Sequence, residues 1–135
     1  MNIKQLIPYT SVILLLLCGV ASAERILCNV EEAVLCHQGN CQEIYEEGGY
    51  ATLLDLVDNR YVLADFNKEK YEPFPLEQVE KAGAFTIYST GLGGAVLKIA
   101  NQDIDSFNVK RNEFVEVRIS MLHVFTSTGT CATAD

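Results

Sequence analysis

The chain has 135 residues, of which 49% are apolar and 21% charged, a composition that excludes a disordered or collagen-like protein. Eighteen acidic against ten basic side chains give a formal charge of −8 and a pI near 4.7. No nucleic-acid partner is expected, because phosphate neutralisation needs basic clusters, and the same charge argues against a surface built for anionic lipid.

Residues 1–23 read as a secretory signal peptide. Lys4 charges the n-region, Val12 to Cys18 form the apolar h-region, and Ala21-Ser22-Ala23 is a small-residue cleavage site. The apolar run is too short for a membrane span, which needs roughly 20 residues. Lipid attachment at Cys18 wants a small residue before it, and Leu17 stands there instead. Cleavage after Ala23 removes only Lys4 from the charged set, so the remaining residues 24–135 carry −9. They are expected to form one domain, periplasmic or extracellular, with no stable membrane span.

Four cysteines remain in a chain addressed for export, and disulfides are the default reading. His37-Gln38-Gly39-Asn40 looks like a turn, with Gly and Asn able to take positive φ. Cys36 and Cys41 then face each other across it, which leaves Cys28 to pair with Cys131. The competing reading is a zinc site from Cys36, His37 and Cys41, with Cys28. Its spacing matches no paired CxxC knuckle, so no metal or other cofactor is expected.

Arg25 to Leu35 and Cys41 to Tyr45 read as a hairpin, then Thr52 to Val57 and Arg60 to Phe66 as strands around Asp58-Asn59. Pro73 and Pro75 exclude a central strand between Tyr71 and Gly83, where Leu76 to Ala82 fits one or two helical turns or irregular chain. Ala84 to Thr90 and Ala95 to Ala100 flank Gly91-Leu92-Gly93-Gly94 as the clearest hairpin. Asp105 to Val109 is a further short run. Glu113 to Phe125 reads as the longest strand. Val115, Val117, Ile119 and Met121 alternate there with Glu116, Arg118 and Ser120, so the first set is expected to face the core. The pattern predicts an all-β fold of about eight short strands, a small antiparallel barrel or a sandwich, tied by disulfides.

No assembled catalytic set is visible. No GxSxG elbow occurs, and cysteines held in disulfides cannot act as thiolates. Asp55 and Asp65 lie in apolar strand runs; with His123 they are the candidates for hydrolytic chemistry. The structural alternative for either carboxylate is to cap loop amides or pair with Arg60. Asn101 to Asp105 resembles the start of a calcium loop but lacks the central glycine and the closing glutamate.

Tyrosines at loop ends are common binding anchors. Tyr71, Phe74 and Leu76, in the segment Tyr71-Glu72-Pro73-Phe74-Pro75-Leu76, are the leading candidates for a recognition loop, with Tyr88 and His123 beside them. In general plan an exported, bridge-tied small barrel resembles the periplasmic lysozyme inhibitors. Tyr88-Ser89-Thr90-Gly91 is a fragment of their serine-glycine inhibitory stretch, and no match extends around it, so no family is assigned. The expected function is non-catalytic binding by a monomer, to an envelope protein or a hydrolase to be inhibited. The alternatives are a barrel carrying a small apolar ligand and a small hydrolase.

Overall fold

The computed structural model describes residues 24–91 and 94–134. The signal-peptide reading and the Leu92-Gly93 tip lie outside them. Ten strands form one antiparallel sheet: β1 (Arg25–His37), β2 (Asn40–Glu43), β3 (Tyr50–Asp55), β4 (Arg60–Asp65), β5 (Lys70–Pro75), β6 (Gln78–Ala82), β7 (Phe85–Ser89), β8 (Ala95–Ala100), β9 (Glu113–Ser120) and β10 (His123–Ala134). The order is β5-β4-β3-β1-β10-β9-β8-β7-β6, with β2 alongside β1, and the sheet curls as a half-barrel. Among the described residues no helix is long and apolar enough to cross a membrane.

The two ends of that strand order are consecutive in the chain. Only Leu76 and Glu77 separate β5 from β6. The Leu76 amide donates to the Asn59 carbonyl at 2.8 Å, beside β4, and the Glu77 amide to the Ser89 carbonyl at 3.0 Å, on β7. One bent ribbon therefore joins the two outermost pairings and curls the sheet onto itself. This corrects the expected helical or irregular reading of Leu76 to Ala82, since Gln78–Ala82 is a strand. The prolines lie in β5, at the end of the path, where a missing N–H costs no ladder hydrogen bond on the open side.

β1 is the hub. Its first half pairs with β3, its second half with β2, and its whole length with β10. A bulge between Val30 and Glu32 adds the bend that this length requires. A Cβ on Gly129 would meet the Asn29 carbonyl at that bend, so glycine alone fits. Cys28 lies directly opposite Cys131, and Cys36 directly opposite Cys41, and both pairs are disulfides.

Two expectations about the last third are corrected. The run Glu113 to Phe125 is not one strand: Met121, at φ 53°, turns the chain, and β10 continues to Ala134. Its threonine-rich half was not expected as a strand. The facing of β9 is also reversed. Phe114 and Glu116 are buried, whereas Val115 and Ile119 are exposed. Asp105–Phe107 is a short 3-10 turn rather than a strand.

The core gathers Val30, Leu54, Tyr61, Leu97 and Phe114 around the Cys28–Cys131 bridge. It fills the space between the two ends of the curled sheet. At one end, the β3–β4 turn is organised by Asp55, whose side chain is 1% exposed. Asp55 accepts from the Val57 and Asp58 amides, each at 3.1 Å, and from Arg60 Nη2 at 3.0 Å, with Arg25 Nε at 3.4 Å. It both caps loop amides and pairs with Arg60.

The Arg60 hydrogen bond, then the Asp58 amide, hold the Asp55 carboxyl below its ordinary value of 3.8. A lowered folded pKa stabilises the fold above the unfolded value, and that contribution is lost as pH falls through the folded one. Urea midpoints should therefore drop below about pH 4, and Asp55→Asn should flatten that drop while lowering the neutral-pH midpoint. A variant with the wild-type acid slope would contradict this role.

Candidate functional site

Inward-facing positions follow from the register. Glu116 on β9 lies opposite Ser127 on β10 and Leu97 on β8, and Arg118 lies opposite Phe125 and Ala95. Glu116 is fully buried. One carboxylate oxygen accepts from Thr52 Oγ1 at 2.5 Å and from the Tyr61 hydroxyl at 2.7 Å, both from the facing wall made by β3 and β4. The other oxygen contacts Arg118 Nε as an ion pair. A charge out of water needs such partners, since desolvation otherwise costs several kcal/mol. Burial, followed by the Glu116 charge and hydrogen bond, raises the Tyr61 hydroxyl far above its ordinary pKa of 10.0, so it remains a donor.

Arg118 links this buried cluster to the surface. Its side chain is 20% exposed, and its guanidinium carbon sits 4.0 Å above the Phe125 ring. No hydrogen bond among the described residues uses Nη1 or Nη2. The residue lines a cavity of about 530 Å³ at one end of the sheet. Leu35, Leu63, Phe74 and Phe125 supply the apolar wall, from β1, β4, β5 and β10. Ile119 and Met121 form the rim, next to the β9–β10 turn, where Met121 is 94% and Leu122 68% exposed. Glu72 also lines the cavity, and its carboxylate is paired with Lys70.

Of the sequence candidates, Phe74 and His123 meet at this cavity. His123 stacks on His37 across β1 and β10, with centroids 4.4 Å apart. The other three are elsewhere. Leu76 is buried in the core. Tyr71 is exposed and packs edge-on against Phe66 at 6.0 Å. Tyr88 lines a cavity of about 730 Å³ at the opposite end, beside Ile99 and Asn101. The expected recognition loop is in fact mostly strand β5. The charged groups around the larger cavity, Glu24, Lys81 and Arg111, are all exposed rim residues. Of these two cavities, only the one of about 530 Å³ is lined by a mostly buried charge, that of Arg118.

The hydrolytic candidates are not brought together. Asp55 pairs with Arg25 at the start of β1, and His123 with His37 at its end, roughly 35–40 Å away along the strand. Asp65 is engaged in its own turn, accepting from the Lys68 amide at 3.3 Å. Among the described residues, no group of three or more His, Cys, Asp or Glu side chains is placed to hold a metal ion. Sequence reading missed Arg118, Glu116 and the Met121-Leu122 tip. The tip carried a legible signal, two large apolar residues at a break in alternation, but Glu116 and Arg118 looked like an ordinary solvated face.

No protein-family profile, curated protein or solved structure matches the chain.

Proposed function

We propose that the protein is a non-catalytic binding protein, exported to the periplasm or extracellular space, that docks a protein partner with the end of the sheet carrying the β9–β10 turn. The observation that carries this reading is the exposure of Met121, at the rim of a concave, apolar-walled cavity, and of Leu122 next to it in the β9–β10 turn. Large apolar side chains held out beside a pocket are what an interface core requires. The two disulfides are compatible with an oxidising, non-cytoplasmic compartment. The partner is an envelope protein or a hydrolase whose activity is blocked.

The test is cross-linking in the native envelope, comparing wild type with a Met121→Ser/Leu122→Ser pair and with Val96→Ser, an exposed residue of β8. A partner cross-linked by wild type and by Val96→Ser, and reduced about tenfold or more in the tip variant, supports the reading; two truncated apolar anchors at ~1–2 kcal/mol each predict that loss. Equal yields in all three proteins would remove the tip from any interface.

The second reading is a carrier of a small apolar ligand. The cavity volume lies within the range of ligand pockets, and its walls are apolar. Because the interior below is filled by Tyr61, Leu54, Leu97 and Phe114, such a ligand would sit in the mouth rather than inside the curled sheet. The geometry lends nothing to the hydrolase alternative.

A further inference from the structure

We propose that the cavity at the β9–β10 end recognises a carboxylate joined to an apolar group, with the carboxylate bound by the Nη atoms of Arg118. It rests on reading this end as the binding surface, and names the chemistry recognised there.

Four observations converge. Arg118 is positioned before any ligand arrives, because Glu116 holds Nε and the Phe125 ring supports the guanidinium plane. Glu116 is in turn fixed by Thr52 and Tyr61, from strands on the facing wall. A guanidinium held through Nε still presents two parallel donors, the fork that matches a carboxylate. The surrounding wall of Leu35, Leu63 and Phe74 is apolar, which fits an aliphatic or aromatic group attached to the carboxylate.

The donor balance agrees. The Glu116–Arg118 and Glu72–Lys70 pairs are each neutral overall, so what the cavity offers a ligand is the unspent N–H donors on the Nη atoms of Arg118. A cationic or neutral apolar ligand would leave those donors unpaired and desolvated, which costs about 1–3 kcal/mol.

This chemistry has two sources, a free aliphatic acid or the carboxylate of an apolar peptide terminus. The experiment uses the intact disulfide-bonded protein and isothermal titration with matched probes. Decanoate is compared with decanol and decyltrimethylammonium; acetyl-leucyl-leucine is compared with its amide. The acid of at least one pair should bind about tenfold to a hundredfold tighter than its uncharged counterpart. The pair that shows the difference identifies the source.

Arg118→Lys keeps a counter-charge for Glu116 but removes the fork, and should cancel most of that preference. Should the variant not fold, the wild-type acid-to-neutral ratios still decide. Ratios near one in both pairs, or binding of the cation as tight as decanoate, overturn the proposal. The outcome is separable from the docking reading. Leu122→Ser alone, at the tip but outside the cavity lining, should reduce partner cross-linking, yet leave the acid-to-neutral ratio intact.

Discussion

Replacing Cys28 and Cys131 together with alanine is expected to lower the unfolding free energy by about 4–5 kcal/mol, the chain-entropy value for a loop of this length. The two residues are 103 apart in sequence and directly opposite each other across β1 and β10. The Cys36–Cys41 bridge closes a separation of only 5, and its removal should cost about 2 kcal/mol. Small domains have about 5–15 kcal/mol in total, so only the long bridge is large enough to decide whether the chain is folded at 37 °C. Urea unfolding of the two double variants measures the contrast. Equal losses from both would show that the entropy of the unfolded chain is not what the long bridge supplies.

Arg118→Ala should be the most damaging substitution outside the cysteines, at about 3–5 kcal/mol, because it leaves the Glu116 carboxylate buried without its counter-charge. Thr52 and Tyr61 still donate to the other oxygen, so the fold is weakened rather than abolished. The diagnostic is the pair Glu116→Gln/Arg118→Met, which removes both charges and keeps similar volumes. It should recover about half or more of the loss, since a missing ion pair costs far less than an unpaired charge. Denaturation curves for the single and double variants give the coupling. A double variant as unstable as the sum of its two single variants would place the destabilisation in packing instead.

The fold class was legible because most of its signals are local. Turn residues separate short apolar runs, and Cys36 does face Cys41 as the spacing suggests, although the turn is tighter than expected, Gln38-Gly39 alone, with His37 and Asn40 already paired as strand residues. The facing of β9 was not legible. Alternation gives a period of two, but it cannot say which set is inside when the charged set has its partners elsewhere. Glu116 finds its donors 64 and 55 positions away, on strands whose own sequences give no hint of a carboxylate to be met. β10 was hidden for a different reason. Thr126 to Thr133 is rich in threonine, with Ser127, Gly129 and Ala132 among them, so it lacks apolar contrast although its β-branched residues suit a strand. The cavity was half legible. Phe74 and His123 reach it, whereas Arg118 depends on the reversed facing.

The hub position of β1 also sets a schedule. β1 is synthesised early and its longest partner, β10, last. Until β10 exists, β1 can pair only with β2 and β3, and one of its edges has no neighbour. Cys36 and Cys41, joined through the two-residue Gln38-Gly39 turn, can be oxidised as soon as that turn forms, while the Cys28 thiol has to wait for Cys131. Closing the local pair first withdraws Cys36 and Cys41 as wrong partners for Cys28 during the interval. On this account the weaker bridge acts mainly on the yield of correctly connected chains, and the stronger one on their persistence afterwards.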